Sequence, residues 1–155
     1  MTDADTFRLT LAQLNPRVGA LEHNAALAQE AWVAGREAGA DLVALTEMFV
    51  TGYQLQDLVK KRAFVDHAMA AVEALARDCA DGPPLAIGGP WRDAEGRLFN
   101  AYHLLQGGRI VAQAFKHALP NFEVFDEVRY YDQGPIAGPV RVGPIRIGMP
   151  ICEDA

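Results

Sequence analysis

The stretch Leu42-Val43-Ala44-Leu45-Thr46-Glu47 joins a short, wholly apolar run to a polar end. Four apolar residues without alternation are typical of a strand that is covered on both faces, as in parallel sheets. In α/β sheets, ligands bind in the crevice beyond the carboxyl ends of such strands. Residues 42–45 therefore predict an α/β fold, and Glu47 lies where a functional group is expected.

A strand and a helix are predicted before this run. Residues 7–14 alternate apolar and polar side chains over most of their length, which predicts a strand that Asn15-Pro16 ends. From residue 24 to residue 38, apolar side chains recur at helical spacing. Gly39 follows as the expected C-cap of this helix. The first 45 residues thus predict a β-α-β unit.

The rest of the chain continues as a mixed α/β domain. Residues 60–80 carry a helical apolar stripe that includes Cys79. Apolar runs and turn residues then predict five strands, at 85–89, 98–105, 109–115, 140–142 and 145–151. We find no linker or repeat, so residues 1–155 are predicted to belong to one domain. Only four residues follow the last predicted strand, so we expect residues 1–155 to be the N-terminal part of a larger domain.

Composition excludes several classes of function. The formal charge of −6 is scattered, and nothing resembles the basic stripe that nucleic acids require. No apolar run approaches the roughly 20 residues that cross a bilayer, and the N-terminus does not resemble a signal peptide. We therefore predict free thiols at Cys79 and Cys152 and a location in the cytoplasm. The four histidines lack metal-site spacing, so no metal is expected, and the absence of serine excludes a serine nucleophile.

Three reactive side chains follow predicted strands. Glu47 follows residues 42–45, Lys116 follows residues 109–115, and Cys152 follows residues 145–151. Together they could perform acyl transfer from an amide, with a thiolate nucleophile, a carboxylate that moves protons and a cation that stabilises an oxyanion. Each also has a simpler interpretation: a buried small cysteine, a solvated glutamate, and a lysine that blocks edge pairing.

Four segments, in order along the chain, resemble the nitrilase superfamily, above all the glutaminase domains of glutamine-dependent NAD synthetases. Residues 12–19 (AQLNPRVG, with Asn24 beyond) resemble the opening strand and turn, and residues 46–53 (TEMFVTGY) the segment of the glutamate base. Residues 116–131 (KHALPNFEVFDEVRYY) resemble the lysine segment, and residues 151–154 (ICED) the nucleophile segment. The likeness covers nearly the whole chain.

This resemblance implies roles for individual residues. Glu47 would be the proton acceptor, Lys116 the cation that stabilises the oxyanion, and Cys152 the nucleophile. Glu127 matches an acidic position near the family's site, where it could orient Lys116 by charge pairing. Phe122 occupies a position that is commonly tyrosine and helps to hold glutamine, so the hydroxyl contact is missing here. Thr46 replaces the usual proline before the glutamate.

The resemblance also implies a fold and a reaction. The fold would be a four-layer α-β-β-α sandwich, here cut after the nucleophile strand, and this piece alone would be inactive. Glutamine would be hydrolysed, and its ammonia would amidate deamido-NAD at a synthetase domain outside this chain. That reaction would use ATP and magnesium, whereas the present domain would need no cofactor. The family's self-association implies a homo-oligomer.

Two alternatives remain from the sequence. The first is a stand-alone amidase or carbamoylase of the same superfamily. The second is a non-catalytic assembly module, in which Cys152 would show ordinary thiol reactivity. The downstream reading frame separates the first alternative from a synthetase, and the alkylation rate of Cys152 separates the second from both enzymes.

Overall fold

A computed structural model describes residues 6–155 of the chain. Two α-helices, α1 and α2, and seven strands, β1 to β7, follow one another with three short 3₁₀ turns. The order is β1 (Leu9–Leu11), α1 (Leu21–Glu37), β2 (Leu42–Ala44), a 3₁₀ turn (Gln56–Lys60), α2 (Arg62–Asp78), β3 (Leu85–Arg92), β4 (Leu98–Gln106), β5 (Arg109–Phe115), a 3₁₀ turn (Glu127–Arg129), β6 (Val140–Val142), β7 (Ile145–Ile147) and a 3₁₀ turn (Cys152–Asp154).

Strands β1 to β5 form one mixed sheet in sequence order. The pairs β1–β2 and β2–β3 are parallel, and the pairs β3–β4 and β4–β5 are antiparallel. Strand β5 therefore runs in the same direction as β2 and β3, and their carboxyl ends lie at one edge of the sheet. The amino end of β4 lies at that same edge, because Leu98 pairs with Arg92 at the end of β3. This edge positions the candidate site.

Side chains of the sheet alternate between two covered faces. Val43, Leu85 and Ile87 pack against α1 and α2 in the largest apolar cluster, which also contains Trp32 and Val72. On the opposite face, Leu42, Ala86 and Leu104 of the sheet pack with Val142 of the β6–β7 hairpin, which is a separate two-stranded sheet. Helices, sheet and hairpin form successive layers of the described chain. The predicted α/β architecture is confirmed, and the described residues provide one helical layer of the four-layer sandwich.

Several predicted boundaries were wrong at the helices. Helix α1 begins at Leu21 and not at Asn24, because the Asn24 N–H already donates a helical hydrogen bond to the Ala20 carbonyl at 2.9 Å. Asn24 is fully buried, and its side-chain amide donates to the carbonyls of Arg17 and Val50 at 2.8 and 3.1 Å. The predicted helix 60–80 is a 3₁₀ turn to Lys60 and then α2 from Arg62 to Asp78. The break lies at Lys61, whose extended backbone (ψ 107°) is not helical.

The strands also differ from their predicted limits at both ends of the chain. Strand β1 spans only Leu9–Leu11 of the predicted 7–14. The predicted strand 145–151 ends at Ile147, and Cys152 begins a 3₁₀ turn five residues later. Gly148 and Pro150 explain this correction, because proline has no N–H to donate and glycine weakens a strand. The other strand predictions agree with the structure to within three residues.

No helix in residues 6–155 is long and apolar enough to cross a membrane. The same residues contain no group of three or more histidine, cysteine, aspartate or glutamate side chains that could hold a metal ion.

Candidate active site

Glu47 and Lys116 meet at the carboxyl edge of the sheet. Lys116 directly follows β5, and Glu47 lies three residues beyond the end of β2. Lys116 is anchored to its neighbouring strand through its backbone N–H, which donates to the Asn100 carbonyl at 2.8 Å. Gly134 fixes the next peptide unit, because its N–H donates to the Lys116 carbonyl at 2.9 Å.

The ammonium group of Lys116 is held between two carboxylates. Its Nζ lies 2.9 Å from Glu47 Oε1 and 3.0 Å from Glu127 Oε2, and it also donates to Glu127 Oε1 at 3.1 Å. The Lys116 side chain has no exposed surface. Burial disfavours the charged ammonium, but hydrogen bonds and charge attraction from Glu47 and Glu127 raise the pKa of Lys116 above its ordinary value. Lys116 is therefore a fixed positive charge at neutral pH.

Glu47 has one engaged and one free oxygen. Its Oε1 accepts hydrogen bonds from Lys116 Nζ and from Asn100 Nδ2, the latter at 2.6 Å. Within the described chain, no hydrogen bond reaches Oε2, and the Glu47 side chain keeps 24% of its surface exposed. The free oxygen is the one that can exchange a proton with a bound molecule.

Gly88 lets the loop that carries Glu47 lie directly on strand β3. A Cβ added at Gly88 would overlap the backbone nitrogen of Met48 and would lie 2.8 Å from Glu47 Cα. The Val50 N–H donates to the Gly88 carbonyl at 3.1 Å, and the Gly88 N–H donates to the Thr46 carbonyl at 3.3 Å. The position of Glu47 therefore depends on the absence of a side chain at Gly88.

Glu127 lies within the lysine segment, in the 3₁₀ turn Glu127–Arg129. It is 3% exposed, and its Oε1 accepts a hydrogen bond from the Tyr53 hydroxyl at 2.9 Å. Burial and the neighbouring carboxylates raise the pKa of Tyr53, so its hydroxyl keeps its proton and acts as a donor. A cavity of about 160 Å³ opens beside Tyr53 and Glu127 and is also lined by Tyr130 and Tyr131.

Cys152 lies on an exposed turn next to the lysine segment. It is a free cysteine with a φ of 50°, in the left-handed region that residues other than glycine seldom adopt. Asp154, two residues later, accepts hydrogen bonds from the backbone N–H groups of His117 and Ala118 at 3.0 and 2.7 Å. Within residues 6–155, no hydrogen bond joins the Cys152 thiol to Glu47 or Lys116.

The structure therefore brings three of the predicted site residues into direct contact, Glu47, Lys116 and Glu127. Cys152 is joined to them through Asp154 and the residues after Lys116. Phe122 lies outside this cluster: its ring is 52% exposed and packs edge-on against Phe125, with centroids 5.7 Å apart. The other cysteine, Cys79, is buried in the apolar core, and burial raises its pKa to about 11.

Sequence reasoning missed Asn100, Tyr53 and Asp154 as parts of the site. Asn100 lies within β4 and is completely buried, and a polar residue in a run of apolar and aromatic side chains was the available signal. Tyr53 and Asp154 lie in the segments TEMFVTGY and ICED, but the sequence around them does not indicate which groups they contact. Their hydrogen bonds join segments 74 and 36 residues apart, which local patterns do not report.

This arrangement suits acyl transfer from an amide. It offers a buried permanent cation, a carboxylate with one free oxygen and an accessible thiol near the same strand ends. The family model for the carbon-nitrogen hydrolases matches residues 8–155. The chain belongs to the carbon-nitrogen hydrolase family.

Relatives of this carbon-nitrogen hydrolase chain include several glutamine-dependent NAD(+) synthetases. The enzyme of Rhodobacter capsulatus is 60% identical over 97% of this chain and 27% of its own length. The enzyme of Thermotoga maritima is 34% identical over 95% of this chain and 25% of its own length. The chain thus spans about a quarter of the length of the curated relatives that it matches.

Solved structures share the same fold. The glutamine-dependent NAD+ synthetase from Acinetobacter baumannii, in complex with ADP, superposes with a TM-score of 0.89 at 27% identity, over 95% of this chain and 28% of that one. An amidase from Nesterenkonia sp. AN1 superposes with a TM-score of 0.81 at 21% identity, over 96% of this chain and 58% of that one. The nitrilase-superfamily α/β fold predicted from the sequence is confirmed.

Proposed function

We propose that this chain hydrolyses the side-chain amide of glutamine, as the ammonia-producing part of a glutamine-dependent NAD+ synthetase. The observation that carries the proposal is the completely buried Lys116, paired with Glu47 and Glu127 beside the turn of Cys152. The 60% identity to the R. capsulatus synthetase over 97% of this chain supports glutamine as the amide.

The first half of the proposed reaction forms a thioester. Glu47, through its free Oε2, takes the proton of the Cys152 thiol, and the sulfur attacks the amide carbon. The positive charge of Lys116 stabilises the oxyanion of the tetrahedral intermediate. Glu47 then returns the proton to the leaving nitrogen, and ammonia departs from a glutamyl thioester on Cys152.

Water completes the proposed cycle. Glu47 takes a proton from the water molecule as it attacks the thioester, and the resulting tetrahedral intermediate is again stabilised by Lys116. Collapse of this intermediate releases glutamate, and the proton on Glu47 restores the thiol. Lys116 keeps its proton throughout, consistent with the raised pKa of this residue. Glu127 holds the Lys116 side chain in place and Asn100 holds the Glu47 side chain, and neither Glu127 nor Asn100 exchanges a proton.

The ammonia would be used at a second site, outside these 155 residues. There it would replace a carboxylate oxygen of deamido-NAD to give NAD. ATP would supply the energy for this step, and magnesium would be its cofactor. We propose this reaction from the relatives named above, since the chain covers about a quarter of their length. The self-association expected from the resemblance remains a proposal of the same kind.

A direct test measures glutamate release from glutamine by the full-length gene product. Cys152→Ala removes the nucleophile and is expected to abolish release. Cys79→Ala is the matched control, because Cys79 is buried in the core and far along the chain from the site. Release that survives in Cys152→Ala would refute the proposed mechanism.

A second candidate function is hydrolysis of other small amides. Phe122 favours it, because this position lacks the hydroxyl commonly present in the family and the ring is 52% exposed. A panel of glutamine, asparagine and short aliphatic amides, compared by kcat/KM, decides between the two. A value for glutamine below that for a simple aliphatic amide would favour a general amidase.

A further inference from the structure

The Asp154 carboxylate connects the turn of Cys152 to the lysine segment. Its Oδ1 accepts hydrogen bonds from the backbone N–H groups of His117 and Ala118 at 3.0 and 2.7 Å. Its Oδ2 accepts from the N–H of Ile151 at 3.3 Å, and its own N–H donates to the Ile151 carbonyl at 3.1 Å. One side chain thus holds the residue before the cysteine and the two residues after the lysine.

These contacts exceed what a turn needs for its own stability. The bond from Ile151 closes the 3₁₀ turn locally, and a carboxylate with that bond alone would be an ordinary cap. The two bonds to His117 and Ala118 are made across 37 and 36 residues. Within the described chain, Asp154 supplies both hydrogen bonds that join residues 151–155 to the lysine segment.

Cys152 needs such support for two reasons. Its φ of 50° is unfavourable for a residue with a side chain, so the turn relaxes unless neighbouring contacts hold it. The cysteine is also exposed, so the packing of its own side chain does not fix its position. Ile151, the residue before the turn, is held by burial at 3% exposure. Burial of this one side chain does not fix how the turn is rotated about it.

We infer that Asp154 is a positioning residue, which sets the place of the Cys152 sulfur relative to the charge of Lys116. This inference rests on the proposed amide hydrolysis through Cys152. Attack on a carbonyl requires the nucleophile and the oxyanion site to be in register, and a misplacement of about 1 Å can reduce the rate about a hundredfold. Asp154 acts on the chemistry through Cys152 and touches no substrate.

The test compares Asp154→Ala and Asp154→Asn in the full-length gene product. Asp154→Ala removes all three accepted bonds, and kcat for glutamate release is expected to fall about a hundredfold with KM changed by less than about threefold. Asp154→Asn keeps one oxygen that can accept from His117 and Ala118 but loses the acceptor for Ile151. It is expected to recover about tenfold in kcat relative to the alanine variant.

A matched control makes the same chemical change elsewhere. Asp41 also accepts a hydrogen bond from a backbone N–H, that of Arg8 at 2.7 Å, at the amino end of β2 and away from the site. Asp41→Asn is expected to leave kcat unchanged. The alkylation rate of Cys152 by iodoacetamide supplies a second measurement, and it is expected to fall in Asp154→Ala and to be partly restored in Asp154→Asn.

The possible outcomes separate this inference from the proposed function. If Cys152→Ala abolishes glutamate release while both Asp154 variants keep kcat within about twofold of wild type, the positioning role is wrong and the mechanism stands. If Asp154→Ala does not fold, Asp154→Asn decides: a kcat equal to that of Asp41→Asn overturns the inference, and a reduced kcat with unchanged KM supports it. If Cys152→Ala retains release, the proposed function itself is wrong.

Discussion

Glu47 and Lys116, 69 residues apart in the sequence, form an ion pair of 2.9 Å at the carboxyl edge of the sheet. Glu47 follows β2 and Lys116 follows β5; these strands run in the same direction and end at the same edge of the sheet, with β3 and β4 between them. The sheet topology therefore creates the pair, and Glu127 and Asn100 fix its geometry. Removing one partner of a buried ion pair strongly destabilises the folded protein, because the remaining charge is buried without compensation.

Asn100 is expected to control how Glu47 is oriented. Asn100→Asp replaces the amide that donates at 2.6 Å with a carboxylate that repels the same oxygen. We predict that kcat for glutamate release falls about tenfold to a hundredfold, because Glu47 rotates away from its place beside Lys116. Gln106→Glu, the same amide-to-acid change at the exposed far end of β4, is the control. Equal kcat values for the two variants would contradict the orienting role.

Glu127 is expected to set the alkaline limit of activity. Its charge and hydrogen bond help to raise the pKa of Lys116, so Glu127→Gln lowers that pKa. Lys116 then loses its proton at a lower pH, and the alkaline limb of the kcat profile shifts to lower pH. A pH series of kcat that starts at neutral pH and continues above pH 10.5, the ordinary pKa of a lysine, measures the shift. An alkaline limb that stays in place would show that Glu127 does not govern the charge of Lys116.

Two adjacent glycines in β3 provide a paired test of the close contact below Glu47. A methyl group at Gly88 would overlap Met48 N and lie 2.8 Å from Glu47 Cα, whereas one at Gly89 would meet Val50 Cβ at 3.6 Å, an ordinary contact. Gly88→Ala is therefore expected to reduce kcat about a hundredfold or more by displacing Glu47. Gly89→Ala is expected to keep most of the wild-type kcat. Similar activity in the two variants would show that the loop adapts freely.

His103 is expected to make the stability of the sheet depend on pH. It is fully buried in β4, and burial lowers its pKa to about 4. The unfolded chain binds a proton near pH 6.5, so stability is complete above that pH and is lost as the pH falls from 6.5 towards 4. We predict that the free energy needed to open the sheet around His103 falls by about 2 kcal/mol between pH 7 and pH 5.

Hydrogen exchange of residues 98–115, corrected for the intrinsic pH dependence of exchange, measures this loss in the full-length protein. His103→Phe should remove most of the pH dependence, whereas His67→Phe, on the exposed surface of α2, should leave it unchanged. A wild-type opening energy that is the same at pH 7 and pH 5 would show that His103 is protonated in the folded state.

The sequence was sufficient for the parts of the fold and site that local patterns specify. The apolar run at residues 42–45 predicted a buried strand, and the residues after three strands supplied the candidates Glu47, Lys116 and Cys152. Local patterns did not reveal how segments meet. The Asn24 side chain joins α1 to Arg17 and Val50, and Pro150 interrupts a run of residues that resembles a strand. Asn100 and Asp154 depend on contacts across 53 and 36 residues.

The most direct measurement separates glutamine-dependent from ammonia-dependent NAD formation in the full-length gene product. If Cys152 is the nucleophile, Cys152→Ala loses NAD formation with glutamine by about a thousandfold or more. The same variant supplied with ammonium chloride keeps NAD formation within about twofold of wild type, because the synthetase reaction then bypasses the thioester. NAD formation from glutamine that persists in Cys152→Ala, or an ammonia-dependent rate that falls with it, would contradict the account.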